Sequence, residues 1–342
     1  MAYLNRILRY FISIGLMGLF LYWAFEDIEP RSLWDAIAGI SPFWLVLLVL
    51  TMLVTVPLRA WRWRVLLRPF ASDVTLWDAS IALAIMYAAN VVVPRSGEAV
   101  RALSLNWSRG TKISSVLATV VVERTLDMTG LIFLIGMSLL ILPGPIEAEY
   151  PWMETLTLWG LVGCILFLAI LIVVSRHRER TIGVVEKILG PISTRLCGIV
   201  CRLLEAFVQG LASLTTPSAY VEIIVSSILL NAGYVVIIYE SYLAFGFQQP
   251  PHALGLSSAV VVMAISSIGV VIPTPGGVGT YHFFFGESLH VLFEIPMATA
   301  MACATVVHAV ATLTYLSVGG PAFFLQRARH SRKISNESPP GK

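Results

Sequence analysis

An apolar segment broken by proline occurs twice in this chain, and it constrains the fold more than any other feature. Residues 91–97 read Val-Val-Val-Pro-Arg-Ser-Gly and residues 270–276 read Val-Val-Ile-Pro-Thr-Pro-Gly. Pro94 thus answers Pro273, and Gly97 answers Gly276, at one constant offset. The flanking runs follow it: Phe43–Arg59 maps onto Glu222–Tyr239, and Ile113–Leu142 onto Leu292–Pro321. Proline removes an amide donor and glycine relaxes the backbone, so neither segment continues as one helix. Broken hydrophobic segments at corresponding places in two halves point to a transporter-type substrate site at the bilayer midplane.

The chain is 57% hydrophobic and 13% charged, with mean hydropathy +0.81. A soluble domain cannot hide that much apolar surface, so the composition gives an all-α, polytopic helical membrane protein. The apolar stretches are continuous rather than alternating, which excludes a barrel. Full spans are read at Ile7–Phe25, Phe43–Arg59, Ser114–Leu142, Thr155–Ser175, Tyr220–Phe245 and Met297–Leu325. The interrupted stretches Ala79–Asn106 and Leu254–Phe293 each read as two half-helices, a re-entrant hairpin lining an interior. The expectation is six full spans plus two hairpins in one transmembrane domain over residues 1–329, with repeat halves at 43–142 and 222–321. The polar tail, residues 330–342, is expected to be disordered.

Arginine and lysine set the orientation. Arg6 and Arg9, the loop with Arg59, Arg62, Arg64 and Arg68, the segment Arg176–Arg202, and the tail with Arg327, Arg329, Arg332 and Lys333 are basic. Glu26–Pro42 holds only Arg31, and Pro143–Glu154 and Gly246–His252 hold no Lys or Arg. The alternation puts both termini in the cytoplasm, and the two repeats then run in opposite senses. No small-residue cleavage site closes Ile7–Phe25, so no cleavable signal peptide is expected. Cys164, Cys197, Cys201 and Cys303 make neither a disulfide framework nor a zinc pattern. Val184–Leu214 reads as an interfacial amphipathic region.

Polar residues inside spans are expensive and mark candidate sites. The first hairpin offers Asn90, Arg95, Ser96, Gly97, Glu98 and Arg101. Ser96 is the expected N-cap of the returning half-helix, whose start beside two guanidinium groups is suited to phosphate or carboxylate. The competing reading pairs Glu98 with Arg101 as a neutral brace. The third span carries Glu123, Arg124 and Asp127. Glu123 and Asp127 share a face and can neutralise the hairpin arginines, relay protons or form a structural ion-pair network. The second hairpin carries Pro273, Pro275, Gly276, Gly277 and Gly279, then Tyr281 and His282. Its amides can form an anion-receptive concavity. His282 is either a titrating group or a hydrogen-bonding brace, and His308 the same with less claim. Arg59-Ala-Trp-Arg-Trp-Arg suits an interface with anionic headgroups, or serves topology alone.

The string Asn90-x-x-x-Pro94-Arg95-x-Gly97-Glu98-x-x-Arg101, then Glu123-Arg124-x-x-Asp127, then Pro273-Thr-Pro-Gly-Gly-Val-Gly279, resembles the lysylphosphatidylglycerol synthase transmembrane-region family, also called flippase-like membrane proteins. The resemblance covers roughly residues 5–325. It implies a protein that translocates lipids or lipid-linked intermediates. In bifunctional relatives this region flips an aminoacylated phospholipid and a separate C-terminal domain synthesises it. That domain is missing from this sequence, so aminoacyl transfer is not inherited. Members commonly carry an acidic residue near the position held here by His282, a departure in this chain.

The sequence therefore reads as a bacterial inner-membrane lipid translocase, not an enzyme, with no cofactor and no metal. Arg95, Arg101 and Arg124 would bind the headgroup phosphate, and Glu98, Glu123 and Asp127 would balance charge. One rival is an intramembrane enzyme acting on lipid phosphates through Glu98, Glu123 or His282, although no nucleophile–base pair appears. The other is a non-catalytic partner of a lipid-modifying enzyme. Nucleic acid is excluded as a partner by a net charge of only +3.

Overall fold

The structure is a computed structural model, and it describes residues 2–26, 28–142, 145–191, 193–194, 196–198, 200–201 and 217–337. Thirteen α-helices and no strands are found among them. They are α1 Ala2–Phe25, α2 Pro30–Ala38, α3 Pro42–Leu67, α4 Leu76–Val92, α5 Gly97–Arg109, α6 Ile113–Ile141, α7 Pro145–Glu149, α8 Trp152–Arg176 and α9 Arg178–Leu189. After the undescribed stretch come α10 Pro217–Phe245, α11 Leu256–Val271, α12 Thr280–Phe293 and α13 Met297–Glu337. Two series thus share one order: a long helix, a broken pair, a long helix (α3 to α6, and α10 to α13).

Local chemistry sets the ends. Thr75 and Asp78 form a capping box at the start of α4. Gly110, at φ 68°, closes α5 in the left-handed conformation. Four helices among the described residues are long and apolar enough to cross a membrane: Pro42–Leu67, Ile113–Ile141, Pro217–Phe245 and Met297–Arg332. The other two expected spans fall in α1 and α8. The surface is inverted relative to a soluble protein: Phe43, Phe133, Leu140 and Phe324 are exposed, while Arg59, Arg62, Arg101 and Glu123 are buried.

The two larger apolar cores divide unequally: the first is built from the first series, and the second also takes in Leu48 and Met52 of α3 and Leu134 and Ile135 of α6. Val56, Ala60, Trp63, Leu83, Ala102 and Val116 pack between α3, α4, α5 and α6. Ile238, Val262, Ile265, Phe285, Leu289 and Ala304 pack between α10, α11, α12 and α13. The series meet where α3 lies antiparallel to α10. Thr51 touches Glu240, Thr55 lies against Gly233, Arg62 reaches Ser227 and Arg68 reaches Glu222, one residue number rising as the other falls. Gly319 of α13 presses on α4, where an added Cβ would lie 2.1 Å from the Ala84 carbonyl oxygen.

Two expectations change here. The basic run from Arg59 to Arg64 is not a loop: α3 continues to Leu67, so these arginines extend the helix that carries the span. The tail expected to be disordered from residue 330 is helical through Glu337, and residues 338–342 lie outside the described residues. The second part of the expected amphipathic region, residues 202–214, also lies outside them.

Candidate functional site

A buried ion cluster joins α3, α5 and α6. Helical spacing puts Arg59 and Arg62 on one face of α3, and Glu123 and Asp127 on one face of α6. Arg59 donates from Nε to Glu123 Oε1 at 2.6 Å and from Nη2 to Asp127 Oδ2 at 2.7 Å. Arg62 donates to Asp127 Oδ1, and its Nη2 lies 3.7 Å from Glu123 Oε1. Arg101 of α5 donates to Glu123 Oε2 at 2.6 Å. Glu123, with none of its surface exposed, therefore serves three guanidinium groups. Ionised groups survive at such depth only when paired and hydrogen-bonded.

Aromatic rings frame the cluster. The Arg101 guanidinium lies 4.6 Å from the centroid of the Trp63 ring, and Trp63 Nε1 donates to Thr119 Oγ1 at 2.9 Å. Arg59 Nη1 donates to the Tyr87 hydroxyl at 3.3 Å, and Tyr87 stacks on Tyr315 with centroids 4.4 Å apart. Nearer the surface, Arg124 pairs with Glu98, and its Nη1 lies 3.6 Å from Asp127. Four guanidinium groups thus face three carboxylates (Glu98, Glu123 and Asp127). Arg62 Nε, Arg101 Nε, Arg101 Nη2 and Glu98 Oε2 are buried with no hydrogen-bond partner among the described residues.

The first break sits at the end of this cluster. Val93 is extended, as the residue before a proline prefers, and α4 stops there. Arg95 takes φ 58°, a left-handed conformation that costs a non-glycine residue about 1 kcal/mol or more. Its Nη2 donates across to the Val271 carbonyl at 3.3 Å, so the first break touches the second. The cap of α5 is Asn90, whose Oδ1 accepts from the Gly97 amide at 2.8 Å. Ser96, the expected cap, instead donates to the carbonyls of Val93 at 2.8 Å and Ala89 at 3.1 Å. Only glycine fits at position 97, because an added Cβ would lie 2.4 Å from the Met86 carbonyl oxygen.

The second break is built from backbone. Gly276, Gly277 and Gly279 take φ of 60°, 81° and 84°. The amides of Gly277 and Val278 donate to Thr274 and Pro275, and that of Gly279 donates to His282 Nδ1 at 3.4 Å. Those three amides, expected to be anion-receptive, are therefore turned inward. His308 Nε2 lies 2.9 Å from the Gly276 carbonyl oxygen, and the His282 and His308 rings lie 4.8 Å apart. Both histidines thus brace the turn. Tyr281 packs its ring 5.5 Å from His308. Pro273 and Pro275 bracket Thr274, whose hydroxyl meets that of Thr280 at 3.0 Å.

Of the residues singled out in the sequence, Arg101, Glu123 and Asp127 come together, with Glu98 and Arg124 alongside. Arg95 is exposed and takes a partner at the second break, so Arg95, Arg101 and Arg124 do not form one phosphate cradle. The Glu98–Arg101 brace is also absent: Glu98 takes Arg124 and Arg101 takes Glu123, because helix packing brings α6 to both. Sequence reasoning missed Arg59 and Arg62 as members of the cluster. The signal was present: two carboxylates within a span demand cations, and arginines three apart on an apolar helix share one face.

Comparison with known proteins matches residues 7–319 to the family described as the lysylphosphatidylglycerol synthase TM region. The chain is also similar to the glycosyltransferase AglD of Haloferax volcanii, 25% identical over 333 residues. That alignment covers 90% of this chain and 52% of the relative, so the chain spans about half of that protein's length. No solved structure matches the chain.

Proposed function

The chain belongs to the family of the lysylphosphatidylglycerol synthase TM region, and from that premise we propose that it carries a lipid or lipid-linked intermediate across a membrane. It is a multi-pass membrane protein, read here as a bacterial inner-membrane translocase with both termini in the cytoplasm and no catalytic step of its own. The two helix series form an inverted repeat, a reading supported by the antiparallel packing of α3 on α10. The broken pairs α4–α5 and α11–α12 act as re-entrant hairpins, and rocking of one series against the other opens the site alternately.

One observation carries the headgroup reading. The buried cluster holds one more guanidinium than carboxylate, and three of its guanidinium nitrogens lack acceptors. A single negative charge bearing several acceptor oxygens, as on a phosphodiester, completes both the charge and the hydrogen bonds. The substrate's tails stay in lipid while the phosphate enters beside Arg62 and Arg101. The name of the relative favours a lipid-linked sugar as the cargo, with a glycosyltransferase as a working partner. A sugar phosphodiester of a long-chain lipid presents the same anionic group.

The test is translocation by purified protein in liposomes, with tail-labelled phosphatidylglycerol and a lipid-linked sugar phosphate as alternative cargoes and a membrane-impermeant quencher as the readout. Protein-dependent access of one of them to the quencher is expected. Arg101→Gln should abolish it and Arg101→Lys should restore only part, since Lys lacks the planar fork. An Arg101→Gln protein that inserts, melts normally and translocates at the wild-type rate would exclude the cluster as the headgroup site.

A further inference from the structure

A second buried acid stands apart from the cluster. Glu240, five residues before the end of α10, is 4% exposed. Its Oε1 accepts from the Thr51 hydroxyl of α3 at 2.7 Å, and its Oε2 has no partner among the described residues. No Lys, Arg or His nitrogen lies within 4.0 Å of either oxygen among them. Each acid of the ion cluster has a guanidinium, and Glu240 has none among the described residues.

The surroundings offer no compensating charge. On α10 the neighbouring ionisable groups are Tyr239 and Tyr242, the latter fully buried. On α3 the nearest charged residue is Arg59, two turns along, which is engaged with Glu123, Asp127 and Tyr87. Helix α11 carries no ionisable side chain. The facing part of α13 offers Cys303, which is buried, and His308, which is held at the Gly276 carbonyl. An ionised carboxylate in such a setting costs several kcal/mol, and protonation removes that penalty. The protonated group keeps an acceptor for Thr51 and gains a donor on the oxygen left unpaired.

We propose that Glu240 is a reversible proton-binding site that couples the movement of α3 past α10 to a proton gradient. The coupling rests on the translocase reading above; the proton site does not. In the state described here the carboxyl carries its proton. When the α3–α10 contact opens to water on one side, the carboxyl releases that proton to water and becomes a carboxylate. It takes a proton back from water on the other side before the contact closes again. The place fits this role, because α3 carries Thr51 about two turns before Arg59 and three before Arg62, with Pro57 between them, so one helix links Glu240 to the headgroup cluster. A sodium site is disfavoured by ligand number, since among the described residues the Thr51 hydroxyl is the one side-chain oxygen hydrogen-bonded to the carboxylate.

The experiment has two arms. In lipid nanodiscs, infrared difference spectra across a pH titration should show a protonated-carboxyl band that disappears as pH rises. Glu240→Gln should remove that band while leaving the melting temperature close to wild type, because Gln keeps the shape, the neutrality and an acceptor for Thr51. In liposomes, an imposed proton gradient should drive net cargo movement by the wild-type protein, and Glu240→Gln should lose this response while retaining gradient-free exchange. A titrating band unchanged in Glu240→Gln, or net movement that follows a sodium gradient instead, overturns the proposal. If the band behaves as expected but no cargo is moved even by wild type, the translocase reading fails and the proton site stands.

Discussion

At the first break the chain turns through Pro94 and Arg95 and starts a helix whose Arg101 enters a buried ion cluster. At the second it turns through three positive-φ glycines and starts a helix whose equivalent position is Thr280. At the same offset, Arg59 corresponds to Ile238, Arg62 to Ser241, Glu123 to Ala302 and Asp127 to Val306. Ile238, Ser241, Thr280 and Ala302 are buried, as their charged counterparts Arg59, Arg62, Arg101 and Glu123 are. One half therefore builds the same helix order without a buried ion-pair cluster among the described residues. Buried ion pairs replaced by well-packed neutral residues are often stability-neutral, so the cluster is not needed to make this architecture. Its presence in one half alone is an asymmetry between otherwise corresponding helices, and the buried acid Glu240 of the other half has no counterpart in it.

The comparison breaks most readily at Glu123. Glu123→Ala leaves three buried guanidinium groups short of an acceptor, and we expect a loss of about 3–5 kcal/mol, read as a large drop in melting temperature in detergent. Grafting the second-half residues together (Arg59→Ile, Arg62→Ser, Arg101→Thr, Glu123→Ala and Asp127→Val) removes charges of both signs. The graft should melt well above Glu123→Ala and fail to translocate. A graft that moves lipid would mean the charges are dispensable for function.

The turns differ next. Gly279→Ala should cost about 1–3 kcal/mol from overpacking alone, since its Cβ would lie 2.7 Å from the Met17 carbonyl oxygen at φ 84°. Gly276→Ala meets only ordinary contacts, the nearest being Val91 Cα at 3.7 Å, so its cost should be the smaller, that of the positive φ. Equal melting temperatures for the two variants would show that α1 does not press on the second break.

Smaller still is the cap. Asn90→Ala should destabilise by about 1 kcal/mol, and Ser96→Ala by less, because Asn90 and not Ser96 satisfies the α5 amide. The reverse order in thermal melts would reinstate Ser96. The smallest effect is expected at Arg95→Ala, within about 0.5 kcal/mol of wild type, as an exposed side chain with one bond to a carbonyl. A larger loss would mean that the Arg95–Val271 contact clamps the two breaks together.

The helical membrane class, the two breaks and the cost of placing charge at residues 90–101 and 123–127 were legible because their causes are local. Proline ends α4, Gly97 admits a close carbonyl, and long apolar runs must satisfy their own backbone in a bilayer. Span counting was less secure: four long apolar helices stand among the described residues, against six full spans read from composition. Arg59 and Arg62 were read as topology determinants or interface anchors, because positive residues at the end of an apolar run serve those purposes equally well. Glu240 drew no notice at all; a lone acid near a helix end looks like an interface residue until its burial is known.

The sequence alone determined where the helices form and break, because hydropathy and the stereochemistry of proline and glycine act within a few residues. Only the tertiary structure decided which charge meets which. Near neighbours on α5 favoured Glu98 with Arg101, yet packing gave Arg101 to Glu123, 22 residues on, and brought Arg59 to the same carboxylate from 64 residues away. Charges at that separation are joined by how three helices cross, and the crossing is set by the cores of Trp63, Leu83, Ala102 and Val116 rather than by the charges themselves.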